Sequence, residues 1–149
     1  MNKKEFAVMG PGKALNNSLK NKARALVSNT VLNSYFNDEW NHRRKQLDYS
    51  LWTNTGNFAG FALVRKKRTP IGRRSLEISL IGAVKGGGKE LLHQIINNAR
   101  AKGFRKVKLN SVTGAKPFYL KHGFKIKKEN KEHCYMKYKL RPKTRFLQG

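Results

Sequence analysis

The sequence predicts an α/β domain, and three observations carry that expectation. Residues 76–103, LEISLIGAVKGGGKELLHQIINNARAKG, join a short apolar run to a glycine triplet and then to apolar positions at helical spacing. On either side, segments alternate apolar and polar residues at a period of two, as strands do. These are Leu47, Tyr49 and Leu51; Val107 and Leu109; and Cys134, Met136, Tyr138 and Leu140, while Phe58 to Arg65, FAGFALVR, reads as a further strand. A chain of 149 residues fits one domain with a real core.

Residues 1–12 read as a flexible leader broken by Pro11-Gly12, residues 13–140 as the domain, and residues 141–149, RPKTRFLQG, as a basic tail. Residues 13–36 predict one or two helices, with Leu15, Leu19, Ala23, Leu26 and Val27 on one face and Val31, Leu32 and Phe36 continuing it. The stretch from Asp38 ends in the run Arg43, Arg44 and Lys45. A strand at 47–52 then turns through 53–57, where Gly56 sits, into the strand at 58–65. Lys66, Lys67, Arg68, Thr69, Pro70, Ile71, Gly72, Arg73 and Arg74 predict a basic hairpin loop, because a run this basic faces solvent or a polyanion. The strand at 76–81 leads into the glycine turn. Leu91, Leu92, Ile95, Ile96 and Ala99 share one face of the following helix, and Gly103 ends it. A strand at 106–110 precedes a short helix, with Thr113 as its cap and Pro117 in the first turn, where a missing amide is tolerated. Phe124 and Ile126 open a strand that pairs through a turn at 129–132 with the last strand, as an antiparallel hairpin.

Charge is the outlier of the composition. Lys and Arg number 33 against 8 Asp and Glu, a net charge of +25, which bears on partners and solubility rather than on fold. Nucleic acid, or an assembly containing it, is the leading explanation. Such a surface repels cationic substrates such as free histone tails or polyamines. The basic residues expected to meet a polyanion are Arg43, Arg44, Lys45, Lys66, Lys67, Arg68, Arg73, Arg74, Lys125, Lys127 and Lys128. The single Cys134 excludes an internal disulfide and a cysteine-based zinc site, and it reads as a buried structural thiol. His42, His93, His122 and His133 lack metal-ligand spacing. No apolar run reaches the length of a membrane span. Residues 11–35 contain no acid and loosely resemble an organelle transit peptide, although an ordinary basic helix has the same composition. The expected location is intracellular: the host cytoplasm or nucleus for a viral protein, an organelle matrix for a ribosomal component.

The glycine turn has a chemical use. The first amides of a helix lack internal partners and lie at the positive end of its dipole. Gly86, Gly87 and Gly88 remove side chains that would hold a phosphate away, while Lys85 and Lys89 add positive charge. A di- or triphosphate group is the matching ligand; a tight connection with nothing bound is the plain alternative. The segment is no G-x-x-x-x-G-K-[ST] loop, since Ala83 and Glu90 stand at its first and last positions. Nor is it a G-x-G-x-x-G fingerprint, since Leu91 takes the third glycine position.

Gly86-Gly87-Gly88 followed by Leu91-Leu92 resembles the pyrophosphate loop of the GNAT superfamily of acetyl-CoA-dependent N-acyltransferases. A second block matches as well: Ala115, Tyr119, Gly123 and Phe124 keep the family's spacing, and Gly60-Phe61 matches its G-F strand. The resemblance covers residues 58–126. It departs at Ala83, where an Arg or Gln usually opens the loop, and at Val112, where an Asn often stands, with Asn110 close by. Both departures bear on cofactor affinity rather than on fold.

The resemblance implies a mixed, mostly antiparallel central sheet with helices on both faces. It implies an acetyl-CoA cleft where the strand at 76–82 splays from the strand at 105–110. Leu80, Ile81, Gly82 and Val84 would border the thioester and pantetheine arm, with a backbone amide of that stretch holding the carbonyl. Lys85, Gly86, Gly87, Gly88 and Lys89 would hold the pyrophosphate. Glu77 would be the base that takes the amine proton, unless it faces outward and offsets Arg73 and Arg74. Tyr119 would be the acid for the departing thiolate, unless it only packs beside Phe118 and Phe124. No metal is implied. Three functions follow: an N-acetyltransferase acting on a nucleic-acid-associated or anionic partner; an inactive module of the same fold in a ribonucleoprotein or virion; and a sensor of polyphosphate or nucleotide.

Overall fold

The computed structural model describes residues 5–9, 17–28, 33–41, 46–53, 56–68, 70–72, 74–131 and 133–140. In chain order the elements are β1 (Glu5–Met9), α1 (Asn17–Val27), α2 (Asn33–Asn41), β2 (Gln46–Trp52), β3 (Phe58–Arg68), β4 (Arg74–Ala83), α3 (Gly87–Ala101), β5 (Lys106–Val112), α4 (Lys116–Lys121), β6 (Lys125–Glu129) and β7 (His133–Lys139). The strands form one seven-stranded sheet in the order β1-β2-β3-β4-β5-β7-β6. Every pairing is antiparallel except β4 with β5. The parallel pair follows from the α3 crossover, since a helix returns the chain to the same end of the sheet.

Strand alternation divides the core in two. One face gathers Leu76 and Ile78 of β4, Val107 and Leu109 of β5 and Met136 of β7 under Leu91, Leu92, Ile95, Ile96 and Ala99 of α3. On the other face Phe61, Leu63 and Leu80 pack with Ala23 and Val27 of α1 and Phe36 and Trp40 of α2. Helices thus cover both faces, as expected. Gly82 marks how closely α1 approaches: a Cβ there would lie 2.7 Å from Val27 Cγ1 and 2.9 Å from the Phe61 ring. Gly82→Ala is therefore expected to cost about 1–3 kcal/mol by overpacking. Urea unfolding checks this, and an unchanged midpoint would contradict it.

Three boundaries differ from the sequence expectation. The leader is not loose throughout, because Glu5–Met9 pairs with β2 as an edge strand. The basic loop is shorter than 66–74, because β3 runs on through Lys66, Lys67 and Arg68, and Lys66 to Arg68 pair with Leu76 to Arg74. The second helix continues to Asn41, carried by the burial of Phe36 and Trp40. Residues 141–149 and the run Arg43, Arg44 and Lys45 lie outside the described residues, as does Arg73. No helix among the described residues is long and apolar enough to cross a membrane.

Candidate active site

The site begins with an irregularity in β4. Leu63 of β3 pairs with Leu80, but the next residue, Val64, pairs with Ile78, so Ser79 is an extra residue in β4. Its hydroxyl donates to the Leu63 carbonyl at 3.0 Å. A bulge of this kind bends the strand and ends regular pairing. Here β4 and β5 pair from Ser75 with Lys106 only as far as Ile78 with Leu109, although both strands continue. The strands part at the bulge, where the sequence places the cleft.

Tyr119 closes the wedge between them. The wedge, about 40 Å³, is lined by Ile78–Ile81 of β4, Leu109–Ser111 of β5, Ala115 and Tyr119. On one side it shares Ile81 and Tyr119 with a groove of about 290 Å³ at the glycine turn, bordered by Gly82, Ala83, Val84, Gly86, Gly88, Lys89 and Phe118. On the other it shares Ile78, Ser79, Leu80, Leu109 and Asn110 with a cavity of about 580 Å³ that contains Glu77. A path thus crosses the sheet, from the start of α3 through the gap to Glu77.

Each turn around this path has a local cause. Gly86 precedes α3 at φ 83°, a left-handed conformation open to glycine. Gly87 is buried, and a Cβ on it would lie 3.1 Å from the Ala59 carbonyl. Its amide donates to the Val84 carbonyl at 2.8 Å, and the Val84 amide donates to the Ala59 carbonyl at 2.9 Å. The Val84 amide is thereby spent inside the protein, and among Leu80–Val84 it is not the one that could meet a thioester. Gly88 and Lys89 open the first turn of α3, whose amides have no intrahelical partner. Lys89 borders the groove; Lys85 is exposed and does not.

The second block explains itself in the same way. α4 ends with the Gly123 amide donating to the Leu120 carbonyl and the Phe124 amide to the Tyr119 carbonyl. These two bonds form a Schellman cap, with Gly123 at φ 97°. A Cβ on Gly123 would also fall 2.8 Å from the Tyr138 ring. Phe124 packs on Tyr119 with ring centroids 5.6 Å apart, and Phe118 lies 5.3 Å from Tyr119 on another side. The glycine and the two phenylalanines hold Tyr119 in place. Burial pushes its phenol up to about 12, so the hydroxyl keeps its proton at any working pH.

Glu77 does not offset Arg74, while Arg73 lies outside the described residues. Its carboxylate pairs with Lys67 at 3.0 Å, across the β3–β4 hairpin. Arg74 instead lies over the Phe104 ring at 4.7 Å and donates to the Lys102 carbonyl at 2.6 Å. Glu77 is half-buried in the large cavity, with Glu39 and Arg65, themselves paired at 3.2 Å, and Tyr35. The opposite wall carries Lys108, Asn110, Lys127, Lys128, His133 and Tyr135. Of these, only Lys127 and Lys128 were sequence candidates. Lys108 and Asn110 were legible as the outward positions of their strand and His133 and Tyr135 as those of β7, but the pairing that sets the two strands side by side was not. Lys66, Arg68 and Lys125 are exposed and line no part of the path. Cys134 is buried beside Glu129, and burial pushes its thiol up, which makes it a poor nucleophile.

Comparison with known proteins agrees with this geometry. The family model of the acetyltransferase (GNAT) domain matches residues 6–138. No curated protein matches the chain. Among solved structures, Tetrahymena GCN5 is similar with a TM-score of 0.73 at 14% identity, covering 94% of this chain and 98% of that one. A GNAT family acetyltransferase from Elizabethkingia anophelis with acetyl-CoA bound gives 0.64 at 16% identity, covering 92% and 98%. A Bacillus subtilis acetyltransferase in complex with CoA gives 0.66 at 19% identity, covering 93% and 100%.

Proposed function

The chain belongs to the GNAT acetyltransferase family, and we propose that it moves an acetyl group from acetyl-CoA to the amine of an anionic or nucleic-acid-associated acceptor inside the cell. The observation that carries this reading is the path through the sheet, with the glycine-turn groove at one end, Glu77 at the other and Tyr119 between.

Acetyl-CoA enters on the glycine-turn side. The helix N-terminus and Lys89 receive its pyrophosphate, and the unpaired edge of β4 beyond Ile78 borders its arm. The acceptor amine enters from the large cavity. Glu77 takes one proton from the incoming ammonium, directly or through water. The free amine then attacks the thioester carbon, and the C–N bond forms as the C–S bond breaks. A second proton passes from nitrogen to water, and sulfur departs as thiolate towards the Tyr119 hydroxyl.

The phenol near 12 refines the role of Tyr119. A thiol is half-ionised near 8.5, so complete proton transfer from this phenol to the thiolate is uphill by roughly 5 kcal/mol. Tyr119 acts as a fixed hydrogen-bond donor to the departing sulfur, and water supplies the final proton.

A competing reading, an inactive fold used as a structural or RNA-binding part of a ribonucleoprotein or virion, draws support from the +25 charge and from the Val84 amide being spent on Ala59. Incubation with acetyl-CoA and a panel of amines, read by mass spectrometry together with thiol release, separates the two. Acetylated amine with stoichiometric free CoA supports transfer. Absence of both, for every amine and at every pH tried, supports the inactive fold.

A further inference from the structure

We propose that the face of β5, β7 and β6 turned away from α3 is a platform for single-stranded nucleic acid, running beside the acceptor cavity. The proposal rests on the polyanion partner of the preceding reading and says where that partner lies.

The register places the lysines in rows. Lys106 lies opposite Lys139, Lys108 opposite Lys137, and Asn110 opposite Tyr135. On the next strand Lys125 lies opposite Lys137, and Lys128 opposite Tyr135. The partners of these residues along each strand, Val107, Leu109, Cys134 and Met136, belong to the core beneath α3, so the lysines share the other face. The core under α1 and α2 takes sheet residues from β3 and β4 only, and α2 comes to the edge of the lysine rows through Tyr35 and Glu39, which share the cavity with Lys108, Lys128 and Tyr135.

Like charges set directly opposite across a sheet are destabilising. The ammonium of Lys106 is held below the usual range by burial and by Lys108, Lys127, Lys137 and Lys139. Among the described residues no acid lies within the rows, and Glu39, which shares the cavity with Lys108 and Lys128, is paired with Arg65. Glu129, the acid of β6, sits opposite Cys134 on the other face and pairs with Lys116 at 2.5 Å. Glu77 stands at the rim, beside Lys108, already paired with Lys67. A polyanion lying along the rows would supply the counter-charge that their described residues lack.

One feature favours single-stranded nucleic acid over an acidic polypeptide, since the roughly 7 Å between outward residues two apart on a strand suits either chain. In the middle of the rows Tyr135 is 41% exposed, with His133 6.4 Å away, a stacking surface with no use to a polypeptide carboxylate. Because Lys108, Lys128, Tyr135 and His133 also line the cavity holding Glu77, a strand on the platform passes its mouth.

The test is fluorescence anisotropy with a labelled oligouridine of about a dozen nucleotides, across a salt series. The triple variant Lys125→Gln, Lys137→Gln, Lys139→Gln replaces no residue that lines the cavity or the groove. It should lower the slope of log affinity against log salt by about 2, at roughly 0.7 per lost phosphate contact. Tyr135→Ala should weaken binding about 5- to 150-fold. The control Lys20→Gln, Lys102→Gln, Lys121→Gln, taken from α1, the end of α3 and α4, should leave the slope nearly unchanged. An equal loss in both triple variants overturns the platform, as does competition by polyglutamate at the same charge concentration. Thermal unfolding and acetyl-CoA titration on the same samples keep folding and the transferase reading separate: loss of oligonucleotide binding with acetyl-CoA binding intact is a platform effect alone.

Discussion

Glu77→Gln is expected to lower kcat/KM about 100- to 1,000-fold, the usual contribution of a positioned base. The substitution is isosteric, and the amide oxygen can still accept from Lys67, which now stands 3.0 Å from the carboxylate. It removes the site for the amine proton and leaves the glycine turn untouched, so acetyl-CoA affinity should be unchanged. The residual rate should climb with pH, because an alkylamine near 10.4 loses its own proton increasingly as pH rises. Steady-state kinetics over a pH series check this. A variant that keeps most of the wild-type rate at neutral pH would reduce Glu77 to an ion-pair partner of Lys67.

Tyr119→Phe is expected to lower kcat about 10- to 150-fold, the rate equivalent of one hydrogen bond to a charged group, about 1.5–3 kcal/mol. The aromatic ring, which Phe118 and Phe124 grip, remains. Only the hydroxyl is lost, so folding and acetyl-CoA binding should persist. With a phenol near 12, the wild-type rate should show no fall from Tyr119 ionisation up to pH 10. A descending limb near pH 8 to 9 that disappears in Tyr119→Phe would contradict the hydrogen-bond role, since it would place the proton on a much more acidic phenol. Thioesters with leaving groups of lower pKa should narrow the gap between variant and wild type.

The central unit was legible because its signals are local. The apolar positions of α3 fall at helical spacing, and Gly86 and Gly103 both adopt the positive φ that glycine favours. The second block was legible for the same reason: Gly123 caps α4 and Phe124 packs on Tyr119, within one short stretch. The edge strand Glu5–Met9 was missed because five residues hold too little alternation, and its partner β2 decides it. The bulge at Ser79 leaves no mark in LEISLIGA, since it exists only relative to the register of β3.

The charge partner of Glu77 was hidden for a related reason. Arg74 is near Glu77 in sequence, but three residues along a strand it points to the opposite face. Register puts Arg65 opposite Glu77, and Lys67, two residues along on the same face, reaches it diagonally. The large cavity could not be assembled from the sequence, because α2 contributes Tyr35 and Glu39 while Arg65, Lys108 and His133 come from β3, β5 and β7. Element by element, each reads only as an outward polar position.

The measurement that bears most directly on the central claim is calorimetric titration of acetyl-CoA into protein freed of nucleic acid at high salt. Free CoA and ATP run alongside, because a protein of charge +25 attracts any polyanion. The path through the sheet predicts saturable one-to-one binding that prefers acetyl-CoA to ATP and survives moderate salt. Absence of binding, or binding to all three ligands that salt removes equally, would contradict it and leave the glycine turn as architecture alone.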